Sequence, residues 1–227
     1  MTKTIEDLFL YLVALTEILF ILLFLIHFKR TKAEKGLWVI SLYCVCDLAV
    51  NISTPYLQHD LIFPLYTFFT LVEYLLFAYF LWLLIKSEPF KKFMIGASIA
   101  YTIFLITYYI TTTEFRSVDS LPIGVETILI LVYSFYYLFE QLNEPGQVFI
   151  YAKYPFWIIA GLMLYLGGSF FIYIFANQVE KAVLDNYWTF TMIFYIIKNI
   201  LFSIAILIHV KHKKNPSPEK HLYPYLN

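Results

Sequence analysis

Five ionisable side chains lie inside long apolar stretches of the sequence: Glu17, Asp47, Glu73, Glu126 and Lys198. At the centre of a bilayer such a charge costs at least about 2.5–3.5 kcal/mol, so it normally faces protein groups that pair with it. Four carboxyl groups beside one amine could bind a small polar or cationic ligand, or could carry protons. The apolar stretches that contain these residues decide whether they can meet.

Seven apolar segments are long enough to cross a membrane, which takes about 20 residues for roughly 30 Å of hydrocarbon. They cover about 7–28, 36–54, 62–86, 90–112, 120–142, 154–177 and 186–210. Loop residues such as Thr54-Pro55 separate them, and none alternates polar and apolar residues as a barrel strand would. The predicted fold is all-α: a polytopic seven-transmembrane-helix bundle over residues 1–210. A basic tail over residues 211–227 is polar and broken by prolines, so we expect it to be disordered.

The composition agrees with a membrane protein and argues against other classes. Of the 227 residues, 61% are hydrophobic and only 14% are charged. In soluble proteins, roughly 45–50% of residues are apolar and about 25% are charged. The net charge is zero, so nucleic-acid binding has no electrostatic support. The two cysteines, Cys44 and Cys46, are too few and too close together for a disulfide framework or a zinc site.

Lysine and arginine residues predict the orientation of the spans. Most of them lie in the tail and in the loops after the first, third and fifth spans, whereas the opposite side has Lys3, Arg116 and Lys181. By the positive-inside rule, the N-terminus is outside and the C-terminus is cytoplasmic. We therefore expect a multi-pass protein of the inner (cytoplasmic) membrane, in contact with the lipid bilayer.

The five ionisable residues are predicted to lie at a similar depth. At a rise of about 1.5 Å per residue, Glu17, Glu73 and Lys198 lie roughly 18–20 Å above the cytoplasmic ends of their spans. Asp47 and Glu126 lie roughly 17 Å and 24 Å above the cytoplasmic ends of theirs. This level, between mid-membrane and the outer third, predicts one acidic cluster in which Lys198 is the cation.

Hydroxyl and amide groups share helical faces with two of these residues. In the seventh span, Thr191 and Tyr195 precede Lys198 at helical spacing. In the second span, Asn51 follows Asp47 by one turn. Lys198 and Asp47 therefore each have hydrogen-bonding groups on their own helix face.

Tyrosines extend the predicted site on two other spans. Tyr133 lies on the face of Glu126, and Tyr66 lies on the face of Glu73. Together these faces predict a polar, tyrosine-lined cavity that opens toward the outside. The predicted ligand-binding or proton-carrying residues are Glu17, Asp47, Asn51, Glu73, Glu126, Tyr133, Tyr195 and Lys198.

A purely structural interpretation of the same residues stays open. Lys198 could pair with one carboxylate while the other carboxyl groups are protonated and hydrogen-bonded, because polar side chains also hold membrane helices together. In the sixth span, Gly161 and Gly168 lie seven residues apart on one face and predict close packing against a neighbouring helix. Under this interpretation the chain is a structural membrane subunit.

Two further classes of seven-helix protein are alternatives to a sensor. In a retinal protein, Lys198 would form the Schiff base and Glu73 would be its counter-ion, but tryptophans do not flank mid-membrane in the third and sixth spans. A proton-coupled small-molecule transporter would use the buried carboxylates as proton carriers. The Pro-Gln motif of seven-helix sugar and lysosomal amino-acid carriers is absent from the sequence, but a transporter of another kind stays open.

We expect no enzymatic activity. Seven-helix hydrolases of the ceramidase type hold zinc with histidines inside the membrane, whereas the five histidines here lie at span ends, in a loop or in the tail. No serine–histidine or cysteine–histidine pair is evident inside the spans. No catalytic residue, metal site or cofactor is predicted.

The chain resembles uncharacterised bacterial seven-helix membrane proteins. The residues that carry the resemblance are "YSFYYLFEQL" after Glu126, "FWIIAGLMLYLGGSFFIYIF" in the sixth span and "FYIIKNILF" in the seventh. The resemblance extends over the third to seventh spans and implies the same fold without a particular activity.

A small-ligand sensor or receptor-like module is the function we favour from the sequence. The chain carries no output domain, so a sensor would act through a cytoplasmic signalling partner that binds its cytoplasmic loops and basic tail. The proton-coupled transporter comes second and the structural subunit third.

Overall fold

The computed structural model describes residues 3–112, 120–144, 149–175 and 181–214, which form α-helices, two short 3-10 turns and no strand. The eight helices are α1 (Lys3–Ile26), α2 (Phe28–Thr31), α3 (Lys35–Ser53), α4 (His59–Leu84), α5 (Glu88–Thr111), α6 (Ser120–Leu142), α7 (Tyr154–Phe175) and α8 (Lys181–Lys214). The 3-10 turns cover Thr54–Tyr56 and Ile150–Ala152. The all-α prediction is confirmed for these residues.

All of the helices except α2 are long and apolar enough to cross a membrane, and each corresponds to one of the seven predicted spans. Large apolar side chains point away from the bundle, for example Leu8 at 55%, Ile110 at 73% and Phe171 at 65% exposed. Lipid accepts such a surface, whereas water does not. The seven helices therefore suggest a multi-pass membrane protein, and the side on which each end lies stays a prediction.

Six of the long helices form a closed ring, and α5 lies outside it. Around the ring, α1 packs on α8, α8 on α7, α7 on α6, α6 on α4, α4 on α3, and α3 again on α1. The outer helix α5 packs mainly on α4 and α6. Only 17% of its most apolar stretch is buried, against 44% for α3, α6 and α7.

Helices α7 and α8 make the most extensive contact in the ring, and two glycines of α7 permit it. A Cβ atom on Gly168 would lie 2.6 Å from the ring of Phe194. A Cβ atom on Gly161 would lie 3.3 Å from the carbonyl oxygen of Lys198. The predicted close packing of these glycines is confirmed, and it fixes the backbone of α8 at the lysine.

The end of the bundle where Arg30, Lys86 and His209 lie is called the basic end below. His209 Nε2 lies 3.3 Å from the carbonyl oxygen of Arg30, which joins α8 to α2. The backbone N–H groups of Lys86 and Ser87 donate to the carboxylate of Glu140 at 2.8 Å and 2.9 Å. These contacts place the C-terminal ends of α4 and α6 side by side.

Two boundaries differ from the sequence prediction. The basic residues after α1 form the short helix α2, and the Trp38 indole N–H donates to the Lys32 carbonyl oxygen just beyond it at 3.1 Å. Helix α8 continues to Lys214, four residues into the predicted tail of 211–227. It continues because the first helix-breaking residues after position 210 are Asn215-Pro216. Residues 215–227 lie outside the described part of the chain.

Candidate functional site

Lys198 lies inside the ring with 0% of its side chain exposed. Its Nζ atom is 3.5 Å from Oδ2 of Asp47, whose side chain is 7% exposed. The same ammonium group donates a hydrogen bond to the hydroxyl of Tyr43. A buried charge is tolerated only with such partners, so Asp47 is the carboxylate that pairs with Lys198.

Asp47 is itself held by two further donors. The hydroxyl of Tyr195 donates to Oδ2 of Asp47, and Nδ2 of Asn51 donates to Oδ1 at 3.3 Å. Tyr195 is half-buried, whereas Asn51 is exposed and marks the edge of the site. Both carboxylate oxygens of Asp47 therefore accept hydrogen bonds, which keeps the carboxylate in place beside Lys198.

Four aromatic rings from three helices surround Nζ of Lys198, and we call them the aromatic cage. Their centroids lie 4.6 Å (Tyr43), 4.6 Å (Tyr165), 3.7 Å (Tyr195) and 5.9 Å (Phe202) from that atom. The negative faces of aromatic rings attract a cation within about 6 Å. The cage therefore adds favourable electrostatics for the ammonium group to those of Asp47.

The remaining carboxyl groups lie around this pair. Glu17 is 1% exposed and lies within electrostatic range of Asp47 and Lys198. Glu73 interacts in the same way with Lys198 and Asp47, and Glu126, which is 2% exposed, interacts with Glu73. The five ionisable residues thus form one group, called the central charge cluster below.

Several carboxylate oxygens of the central charge cluster are buried without a donor in the described part of the chain. They are both oxygens of Glu17, Oε1 of Glu73 and Oε1 of Glu126. Asn51 and Tyr195 lie near Glu17, but neither makes a hydrogen bond of normal geometry with it. A buried polar atom without a partner costs about 1–3 kcal/mol, so these oxygens are open to added donors or protons.

Each ring helix contributes to the site, and the outer helix α5 contributes no residue to it among those described. The contributions from α1, α3, α4, α6, α7 and α8 include Glu17, Asp47, Glu73, Glu126, Tyr165 and Lys198. The site therefore depends on the closure of the whole ring. In the described ranges, His, Cys, Asp and Glu side chains form no group of three that could hold a metal ion.

Tyr133 belongs to a different polar group. Its hydroxyl lies 3.2 Å from the hydroxyl of Tyr74, which lies 2.9 Å from Oγ of Ser98. These three residues are called the hydroxyl network; they join α4, α5 and α6. Tyr133 lies about 10 Å along α6 from Glu126, and its predicted part in ligand binding or proton transfer stays a prediction.

Two further predictions concern the position of Tyr66 and the opening of the cavity toward the outside. Tyr66, expected on the same helix face as Glu73, is 41% exposed. The predicted opening of a cavity toward the outside depends on segments 113–119 and 176–180. Those segments lie outside the described residues.

Two residues of the site were not predicted. Tyr43 lies four residues before Asp47, so helical spacing could have identified it. Tyr165 lies four residues after Gly161, on the face of α7 that packs on α8. Its place in the cage follows only from the contact of the two helices.

Comparisons of this chain with family models, with curated proteins and with solved structures gave no match. The resemblance to bacterial seven-helix proteins therefore stays a prediction. In the described part of the chain, the fold and the site define a helical protein in which seven helices are apolar enough to span a membrane. Six of them enclose a buried lysine–carboxylate centre.

Proposed function

We propose that the protein is a membrane sensor or receptor-like module for a small polar or cationic ligand that binds at the central charge cluster. The observation that carries this proposal is an imbalance: the central charge cluster contains four carboxyl groups and the single ammonium group of Lys198. The oxygens of Glu17 accept no hydrogen bond in the described part of the chain. A ligand with N–H donors or a positive charge would supply what these carboxyl groups lack.

Through the Lys198–Asp47 pair, ligand binding can change the conformation of the protein. Lys198 and Tyr195 of α8 both bind Asp47 of α3. A ligand that competes for Asp47 therefore changes the contact between two helices at once. A ligand shifts a conformational equilibrium only through such a difference in contacts. In our proposal the basic end transmits this shift to a cytoplasmic signalling partner.

Thermal unfolding of the purified full chain tests ligand binding. Polar, cationic and lipid-like compounds are screened for stabilisation, which amounts to about 2.7 kcal/mol when a ligand is present at 100 times its Kd. A true ligand should stabilise the wild type and the control Glu144→Gln equally, but should stabilise Asp47→Asn much less. If no compound class stabilises the wild type, the proposal is wrong.

A proton-coupled transporter is the second candidate, and the row of carboxyl groups from Glu126 through Glu73 to Asp47 supports it. Their electrostatic contacts run across the ring from α6 to α3. Proteoliposomes separate the two candidates. A sensor should bind its ligand without uptake, whereas a transporter should show uptake that depends on pH and is lost in Glu73→Gln.

A further inference from the structure

The aromatic cage and the unpartnered carboxyl group of Glu17 point to the chemical class of the ligand, an inference that rests on the proposed function. We propose that the ligand is a small organic ammonium ion. Its ammonium group replaces Nζ of Lys198 in the aromatic cage, and Lys198 moves to Glu17.

The first step concerns the aromatic cage. Its closest ring, that of Tyr195, lies 3.7 Å from Nζ of Lys198, and the rings of Tyr43 and Tyr165 each lie at 4.6 Å. Several rings around one cation are the arrangement that proteins use to bind ammonium ligands. Lys198 therefore occupies, as a tethered ammonium ion, a position that suits a free one.

The second step concerns how firmly Lys198 is held. Inside the cage, the ammonium group of Lys198 donates a hydrogen bond to the hydroxyl of Tyr43. Its distance of 3.5 Å to Oδ2 of Asp47 is longer than a charged hydrogen bond of about 2.7–2.9 Å. Asp47 instead accepts hydrogen bonds from Tyr195 and Asn51. The carboxylate would consequently keep its position if another cation replaced the ammonium group of Lys198.

The third step concerns the destination of Lys198. Glu17 is 1% exposed, has two oxygens without a hydrogen bond in the described residues, and lies within electrostatic range of Lys198. A displaced Lys198 would find there a buried carboxyl group whose oxygens have no hydrogen-bond partner among the described residues. The centre then has two arrangements, with Lys198 beside Asp47 or beside Glu17, as a sensor requires.

Other ligand classes fit less well. The four carboxyl groups of the central charge cluster disfavour an anion. Calcium and magnesium ions take shells of oxygen atoms and water, whereas four aromatic rings line this position. An organic ammonium ion uses both the rings and the carboxylate of Asp47.

The first experiment removes the tethered ammonium ion. The variant Lys198→Ala lacks the equivalent of one propylammonium ion, so n-propylammonium should bind in the vacated position. We expect it to raise the thermal unfolding midpoint of this variant by about 5 °C in a saturable manner. Equal concentrations of 1-propanol or potassium chloride should have no comparable effect.

Two results of this experiment would overturn the inference. One is equal stabilisation by 1-propanol, which would show that the variant has only an apolar cavity. The other is a folded Lys198→Ala variant that n-propylammonium does not stabilise.

The second experiment tests where Lys198 goes. In the wild type, Glu17→Gln should weaken n-propylammonium binding at least about tenfold, because the displaced lysine loses its new partner. In Lys198→Ala the same change should have a clearly smaller effect, since no lysine has to be accommodated. Equal weakening in both backgrounds would contradict the transfer of Lys198 to Glu17.

A third variant keeps the inference testable if Lys198→Ala does not fold. Tyr165→Leu removes one ring of the aromatic cage and retains Lys198. It should weaken n-propylammonium binding about fivefold or more relative to the wild type. Unchanged binding would show that the aromatic cage does not hold the ligand.

Failure of this inference can be distinguished from failure of the proposed function. If a neutral polar compound stabilises the wild type and n-propylammonium does not, the ammonium inference is wrong and the sensor proposal stands. If n-propylammonium binds and is also taken up by proteoliposomes, the ammonium inference is supported. The protein is then a transporter instead of a sensor.

Discussion

Two lysine–carboxylate pairs of this protein lie in opposite surroundings. Lys198 and Asp47 meet inside the helical ring, where their side chains are 0% and 7% exposed. Lys86 and Glu144 meet at the basic end, where theirs are 62% and 30% exposed. Water can replace either partner of the second pair but not of the first, so the same chemical contact has different consequences.

The two pairs differ in the neighbouring groups that stabilise them. A buried ion loses several kcal/mol of hydration, which only close partners can offset. Lys198 and Asp47 accordingly have the aromatic cage and the hydrogen bonds from Tyr195 and Asn51. At the basic end, the ordered contacts come instead from Glu140, which accepts two backbone N–H groups of the loop between α4 and α5.

Breaking the buried pair should have the largest effect. Lys198→Met keeps most of the side-chain volume but leaves the charge of Asp47 without its cation. We expect a loss of about 3–5 kcal/mol in the free energy of unfolding, measured by denaturant titration in detergent. The double variant Lys198→Met/Asp47→Asn should recover part of this loss.

The matched control is the exposed pair. Lys86→Met should leave the stability within measurement error, because water hydrates Glu144 after the change. Similar losses for Lys86→Met and Lys198→Met would mean that burial does not distinguish the two pairs.

Packing behind the buried pair should have the next largest effect. The Cβ atom in Gly168→Ala would approach the ring of Phe194 to 2.6 Å, whereas Gly167 has nothing within 4 Å of a Cβ atom. We expect Gly168→Ala to destabilise the fold by about 1–3 kcal/mol. Gly167→Ala should be neutral or stabilising by up to about 1 kcal/mol. The same denaturant titration measures both variants. Equal effects of Gly168→Ala and Gly167→Ala on stability would contradict the tight contact of α7 with α8.

The hydroxyl network should respond more weakly, because it carries no charge. Tyr133→Phe removes the hydroxyl that lies 3.2 Å from that of Tyr74, and we expect a loss of about 0.5–1.5 kcal/mol. Tyr79→Phe, at a side chain that is 47% exposed, is the control and should change little. A Tyr133→Phe variant as stable as the wild type would mean that the network does not anchor α5.

The exposed pair should give the smallest effect, and a pH titration detects it best. The hydrogen bond from Lys86 lowers the pKa of Glu144 below its ordinary value of 4.5. A lowered folded-state pKa stabilises the fold above pH 4.5, and this contribution disappears as the pH falls through the lowered value. Glu144→Gln should remove that small dependence from the unfolding midpoint measured between about pH 6 and pH 3. An unchanged pH profile would contradict the role of Lys86.

The charged residues were easier to predict than the tyrosines. Glu17, Asp47 and Lys198 stand out because charges are rare in membrane spans, and the rise per residue predicted their common level. Tyr133 shares a helix face with Glu126 but belongs to the hydroxyl network. Tyr165 lies close to Lys198, but the sequence of its own span did not predict this contact. A tyrosine in an apolar helix does not by itself indicate which residue it contacts or which way its side chain points.

The sequence by itself determined the number of apolar helices in the described part of the chain and the positions of the charges along them, since both follow from local quantities: the length of an apolar run and the helical rise. Only the tertiary structure decided that Asp47 is the partner of Lys198, that an aromatic cage surrounds the ammonium group, and that α5 lies outside the ring. The physical reason is that both lipid and the bundle interior accept apolar side chains. Hydrophobic periodicity therefore does not show which face of a helix meets which neighbour, and that information appears only when the ring of helices closes.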